Sequence, residues 1–216
     1  MNKDIEQIRK EMASIMHSVA EQGLIRSSDG NMSCRIGEDR FLMTPSGVYK
    51  LWMKPEDMIL IDASGTVIEG LPGLRPTSEW CMHLKAFQQR PDISCVLHAH
   101  PPYATALTLA GIPFPIDLIP EVLVALGDVP TADYGTPGTQ SLADSIQDLI
   151  LTHDSLLLSH HGSLCVGKSP VETLIALERL EHAARTYAIA RSLGNPIPLP
   201  PSELALLREI GLNFRK

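Results

Sequence analysis

Val96-Leu97-His98-Ala99-His100-Pro101 is the stretch on which the reading of this chain turns. The run from Ile93 to Leu97 is short, apolar and rich in β-branched residues, which predicts a buried strand. It ends in two histidines separated by one residue. Side chains two apart on a strand project to the same side, so His98 and His100 can reach a single ion. Pro101 stops the strand and suits the first turn of a helix. Neutral imidazole at a strand end is a common zinc ligand. Two surface histidines in this spacing would look the same, and what favours the metal is Glu79 upstream with His160-His161-Gly162 downstream.

Composition bounds the rest. A chain of 216 residues is one domain or at most two small ones, and 44% apolar residues suffice for a full core. The net charge is −7 and no run of Lys or Arg forms a basic patch, which argues against nucleic acid as a partner. Cys34, Cys81, Cys95 and Cys165 are scattered without a C-x-x-C pair, so neither a cysteine zinc site nor a disulfide scaffold is indicated. Reduced thiols in a cytoplasmic protein are the expectation. Met1 to Glu6 is charged and helix-like, unlike a signal peptide. No apolar stretch approaches the about 18 residues of a membrane span.

Outward from the histidine strand, the pattern alternates. Ile5, Ile8, Met12, Ile15, Met16 and Val19 recur at helical spacing and predict a helix over 3–22, ended by Gly23. Ser27 to Ser33 reads as a polar turn before a strand, and Arg35 to Arg40 as turn-rich, with Phe41 to Thr44 as a returning strand. Met58 to Ile61 and Thr66 to Ile68 flank a hairpin turn. Helices are predicted over 79–89, 102–110, 121–126, 140–151, 170–193 and 202–210. Ser155 to Ser159 and Ser163 to Val166 are strands on either side of the His160-His161-Gly162 turn. With no repeat and no linker, this predicts a single α/β domain over 1–216, helices covering both faces of a largely antiparallel or mixed sheet.

Glu79, His98, His100 and a histidine at 160 or 161 make a set suited to Zn²⁺ or another borderline divalent ion. Glu79 could alternate between ligand and base; its plain alternative is a first-turn carboxylate complementing the helix dipole. His83, one helical turn from Glu79, is a competing ligand ranked lower, because a helical pair supplies only two donors. His17, His153 and His182 read as surface or core residues. Ser28 with Gly30 and Asn31, Ser46 with Gly47, and Thr77 with Ser78 lie in three polar loops. Small residues there let backbone N–H groups approach a phosphate, and Thr77-Ser78 opens a helix whose free N–H groups favour an anion. Each loop alone is also ordinary turn chemistry.

Taken in order, Gly30-Asn31-Met32-Ser33, Thr44-Pro45-Ser46-Gly47, Thr77-Ser78-Glu79, His98-Ala99-His100-Pro101 and His160-His161-Gly162 resemble the class II aldolase/adducin family, and within it the L-fuculose-phosphate aldolase type. The resemblance implies an αβα domain around a mostly antiparallel sheet, and a homotetramer with active sites between subunits. It implies zinc (manganese or cobalt in its place) on His98, His100 and His161, with Glu79 as fourth ligand and acid/base. It places a substrate phosphate at Ser28, Asn31, Ser46, Gly47, Thr77 and Ser78, and gives Tyr134 the proton at the aldehyde oxygen, acting from a neighbouring subunit. The implied reaction is cleavage of a ketose 1-phosphate such as L-fuculose 1-phosphate into dihydroxyacetone phosphate and an aldehyde. Two departures stand out: Ile210 precedes Gly211-Leu212 where the fuculose-phosphate type has a tyrosine, and Thr77 replaces a serine. Loss of that tyrosine suggests a less polar aldehyde. Family alternatives are a ribulose-phosphate 4-epimerase, which typically has aspartate in place of Glu79, a 3-oxo-tetronate 4-phosphate decarboxylase and a methylthioribulose-phosphate dehydratase. A non-catalytic, adducin-like scaffold would be free to lose the ligand set that this chain keeps.

Overall fold

The computed structural model describes residues 5–215; the expectations for Met1 to Asp4, including the first two residues of the first predicted helix, lie outside them. Helix α1 (Ile5–Glu21) buries Met12, Ile15, Met16 and Val19, the stripe its spacing predicts. Gly23 ends it at φ +73°, a left-handed cap that glycine adopts freely. The strands are β1 (Asn31–Gly37), β2 (Arg40–Met43), β3 (Ile59–Asp62), β4 (Val67–Glu69), β5 (Cys95–Ala99), β6 (Thr131–Ala132), β7 (Ser155–Leu158) and β8 (Gly162–Gly167). The helices after α1 are α2 (Trp80–Gln89), α3 (Pro102–Leu109), α4 (Pro120–Leu126), α5 (Gln140–Ser145), α6 (Pro170–Leu193) and α7 (Pro201–Phe214).

All eight strands join one sheet in the order β4-β3-β2-β1-β5-β8-β7-β6. Every pairing is antiparallel except β6 with β7. The period-2 alternation of strands sorts side chains between two apolar layers. Leu97, Ala99 and Cys165 pack with α1 and α6 through Met12, Met16 and Leu180. Val96, Leu158 and Leu164 pack with α2 and α5 through Met82, Phe87 and Leu142. The result is the expected α/β architecture, helices on both faces of a mostly antiparallel sheet.

Several boundaries depart from expectation, and each departure has a pairing or packing cause. The turn predicted over 27–33 is shorter, because Asn31, Met32 and Ser33 already pair with His98, Leu97 and Val96 of β5. Strand β1 runs on through Arg35, predicted to be turn, because Arg35 pairs with Phe41. The β5 strand extends to Ala99 because β8 pairs with it as far as Ser163. The helix predicted over 140–151 splits into α5 and a separate 3-10 turn at Leu149–Leu151. Helix α7 runs four residues beyond Ile210, to Phe214, and packs against α4. Among the described residues no helix is long and apolar enough to cross a membrane.

Candidate active site

His98 lies on the face of β5 shared with Val96, the face covered by α2. It is fully buried, and its Nδ1–H donates to the Ser163 carbonyl at 2.8 Å. That bond sets the tautomer and leaves the Nε2 lone pair facing inward. His100 follows just past the strand end, and Pro101 turns the chain into α3. His161 arrives on the turn between β7 and β8, where His160 takes a left-handed φ of +57°. Gly162 is required there, since a Cβ would collide with the Ala99 carbonyl oxygen and crowd the His100 ring. The glycine after His161 is thus what lets β8 close on β5 and bring the third imidazole in.

One nitrogen from each of His98, His100 and His161 lies within 4.8 Å of the other two. His98 Nε2 and His100 Nε2 are 2.9 Å apart; since the first is an acceptor, the second donates. His100 Nδ1 stands 3.9 Å from the Asp29 carboxylate, a partner for the proton if Nε2 gives it up. Burial lowers the pKa of all three rings, and for His98 the neighbouring His100 and His161 add to it, so the cluster is neutral, the form that binds metals.

Glu79 sits at the N-cap of α2, where the helix dipole favours its charge. Its Oε2 is 3.2 Å from His98 Nε2 and its Oε1 3.3 Å from His161 Nε2. Oε1 is buried without a hydrogen-bond partner. A buried carboxylate oxygen left bare is costly unless a cation or proton meets it. Three inward imidazoles and that oxygen make a nitrogen-rich donor set suited to zinc, cobalt or manganese. The residues present therefore fit a divalent cation.

His83 is not part of this set. Its Nε2 is 2.6 Å from Asn31 Oδ1 and its Nδ1 is 2.6 Å from Ser33 Oγ, so both nitrogens are spent. His17 donates to the Met53 carbonyl and His153 to the Leu149 carbonyl, as expected of structural residues. His182 and His160 are exposed.

The three polar loops are knitted together beside the cluster. Thr77 N–H donates to the Thr44 carbonyl and Ser46 N–H to the Arg75 carbonyl, joining the second loop to the third. Thr77 is buried and its Oγ1 accepts from Glu79 N–H, while Ser46, Gly47 and Ser78 face solvent and Ser28 is half-buried. Asn31 is committed on both ends of its amide: Nδ2–H donates to Glu79 Oε2 at 2.8 Å and Oδ1 accepts from His83. Lys50, absent from the sequence reading, ties the first loop to the second. Its Nζ donates to the Ser28 and Val48 carbonyls, its N–H to the Ser27 carbonyl, and the side chain is 1% exposed. Burial lowers its pKa to about 8, against the attraction of Asp29. The only hint in sequence was a lysine three residues past Gly47, which no periodicity singles out. Tyr134 is not brought to the cluster within one chain: it is 60% exposed, its ring 6.4 Å from that of His160. A cavity of about 740 Å³ opens at the opposite end of the sheet, between Arg90, Asp154, Lys168 and Phe214. Its size exceeds its relevance, since neither Glu79 nor the cluster histidines line it.

Residues 10–188 match the model of the Class II Aldolase and Adducin N-terminal domain. The chain is 30% identical over 202 residues to the 5-deoxy-D-ribulose 1-phosphate aldolase of Bacillus thuringiensis serovar kurstaki, covering 93% of each chain. It is 29% identical to the 5-methylthioribulose-1-phosphate/5-deoxyribulose-1-phosphate aldolase of Rhodospirillum rubrum, covering 94% of this chain and 90% of the other. A solved structure of an L-fuculose 1-phosphate aldolase superposes with a TM-score of 0.85 at 32% identity, over 94% of this chain and 95% of that one.

Proposed function

The chain belongs to the class II aldolase and adducin family and is an aldolase, and from that premise we propose that it cleaves a deoxyketose 1-phosphate into dihydroxyacetone phosphate and a small aldehyde. The observation that carries the proposal is Glu79, held at a helix N-terminus with one buried oxygen bare against three inward imidazoles.

His98, His100 and His161, with Glu79 as a fourth and displaceable donor, would hold the cation, zinc by preference and manganese or cobalt as alternatives. When bound, that ion supplies Lewis-acid stabilisation for the charge left on the dihydroxyacetone phosphate half. The phosphate sits in the three polar loops, on Ser28, Ser46, Gly47 and Ser78, with the buried Thr77 and Asn31 beneath them. The buried Lys50 adds positive charge behind the first two of these loops. As the C3–C4 bond breaks, the C4 hydroxyl gives up its proton and becomes the aldehyde carbonyl. The electron pair stays on C3, and Glu79, which takes up the proton released at the C4 hydroxyl by way of Tyr134 and solvent, delivers it there to complete the hydroxymethyl group. Tyr134, projecting into solvent from its own chain, exchanges the proton at the aldehyde oxygen of a neighbouring copy, within a homotetramer.

For the aldehyde we favour acetaldehyde, from a 5-deoxypentulose 1-phosphate. Two observations support it: the names of the Bacillus and Rhodospirillum relatives, and Ile210 in place of a hydroxyl-bearing residue before Gly211-Leu212. L-Fuculose 1-phosphate, yielding lactaldehyde, is the second reading, supported by the similarity to the solved L-fuculose 1-phosphate aldolase. Mass spectrometry of products from the zinc-loaded protein tests both. Dihydroxyacetone phosphate with acetaldehyde is expected from 5-deoxyribulose 1-phosphate, faster than any cleavage of fuculose 1-phosphate. An isomer of unchanged mass, or loss of water or carbon dioxide from a related sugar phosphate, would replace the aldolase reading with an epimerase, dehydratase or decarboxylase.

A further inference from the structure

Asn31 and Ser33 are two apart on β1 and so face the same layer as His98, the layer occupied by α2. His83 lies one turn along α2 from Glu79. The four side chains form an unbroken line: Ser33 Oγ to His83 Nδ1 at 2.6 Å, His83 Nε2 to Asn31 Oδ1 at 2.6 Å, Asn31 Nδ2 to Glu79 Oε2 at 2.8 Å. Ser33 and His83 are fully buried, and Asn31 and Glu79 are 6% and 7% exposed.

Every proton in this line has one consistent place. An ionised carboxylate only accepts, so the Asn31 amide must turn its NH₂ to Glu79 and its oxygen to His83. That oxygen only accepts, so His83 must carry its proton on Nε2. Nδ1 is then unprotonated and accepts the hydrogen bond that the Ser33 hydroxyl donates. The ring has no exposed surface, and burial with the nearby His98 lowers its pKa to about 3 against the attraction of Glu79, in keeping with a neutral ring. The line ends inside the sheet at a buried serine, so it is no path for protons to water. What it does is hold one oxygen of Glu79 and leave the other, Oε1, facing His161 without a hydrogen bond.

We propose that His83 is a positioning residue for Glu79: locked by Ser33 and acting through Asn31, it pins Oε2 so that Oε1 alone is presented to the cation and the substrate carbon. The proposal rests on the role given to Glu79 above. Asn31 accordingly serves the carboxylate first, with only its second amide hydrogen left for a phosphate.

The test uses the full-length protein, wild type, His83→Leu and His83→Gln. The amide of Gln can still donate to Asn31 Oδ1, whereas Leu cannot. In the zinc-loaded enzyme, His83→Leu should lower kcat by about 10- to 100-fold, the usual cost of losing a group that orients a metal ligand. KM should stay within about twofold, as expected when uniform binding is kept. His83→Gln should recover most of kcat. The cobalt-substituted protein gives a reading that needs no substrate: its visible spectrum should change in His83→Leu and not in His83→Gln. Binding of inorganic phosphate to the cobalt-loaded protein should be the same in all three. In the wild type, nitrogen-15 shifts should show His83 protonated on Nε2 and His98 on Nδ1, the opposite tautomer. A His83 found protonated on Nδ1 or on both nitrogens, equal behaviour of the Leu and Gln variants, or a loss of phosphate affinity matching the loss of kcat would overturn the proposal. If no sugar phosphate is cleaved by the wild type, the proposed reaction fails, while the tautomers and the cobalt spectra still decide the positioning role.

Discussion

His83 on α2 and His98 on β5 are both completely buried between that helix and the sheet, and they do opposite things. Around His83 each nitrogen has a fixed protein partner, one donating and one accepting. Around His98 the outer nitrogen is fixed by the Ser163 carbonyl, while the inner one accepts from His100, another ring of the cluster, and faces the Glu79 carboxylate. Residue type and burial are equal, so neither marks a ligand. What separates them is the kind of partner: both His83 nitrogens are held by groups that bind no cation, whereas the inner His98 nitrogen points into a cluster of three imidazoles that could hold one.

The sharpest break of that contrast is removal of a ligand. His98→Ala should drop the metal content, measured by elemental analysis, from about one ion per chain to near zero, since it removes the fully buried ring that the Ser163 carbonyl fixes toward the cluster and leaves two partly exposed histidines with a displaceable carboxylate. His83→Gln should leave it unchanged. Zinc content undiminished in His98→Ala would erase the distinction.

Next in size is the carboxylate. Glu79→Gln has a single oxygen, which can face either the cation or Asn31, and cannot carry a proton, while the three histidines are left in place. It should retain metal and lose turnover by about 100- to 10,000-fold, the range for general acid–base groups. Full activity in steady-state assays would remove Glu79 from proton transfer.

A smaller effect concerns acid stability. His83 stays neutral in the fold to about pH 3, while in the unfolded chain it takes a proton near its ordinary value of 6.5. Between those values the unfolded state binds more protons, so folding stability falls as pH drops through that window and is indifferent to this group above it. Denaturation of His83→Gln across the window should show a shallower pH dependence, by up to about one proton per chain. A slope equal to that of the wild type would mean that His83 is charged in the fold or never buried.

The smallest is Ser33→Ala. It leaves His83 Nδ1 without its donor and should cost about 1 kcal/mol of stability, as for a lost buried hydrogen bond, with metal content unchanged. A loss of metal in this variant would mean that the two regions are one unit.

Much of this was legible in the chain. The helical stripe from Ile5 to Val19, the hairpin turns, the His-x-His strand end and the Gly after His161 each follow from local periodicity or backbone geometry, and the structure contains them. Strand ends were less legible: Asn31 to Ser33 look like turn because their polar side chains hide the pairing with β5. Lys50 was missed altogether, for its burial depends on the Ser28 carbonyl of the preceding loop as well as the nearby Val48 carbonyl, a pairing that no local pattern announces. Tyr134 is the reverse case, a residue that sequence resemblance brings to the reaction and one chain leaves in solvent.

The sequence by itself determined the α/β class, the family and which residue types could ligate a cation, because these depend on spacing along the chain. Only the tertiary structure decided that His83 and His98 part company and that Asn31 belongs to Glu79. Those outcomes depend on which strand faces which helix, and a hydrogen-bond partner tens of residues away is chosen by that packing.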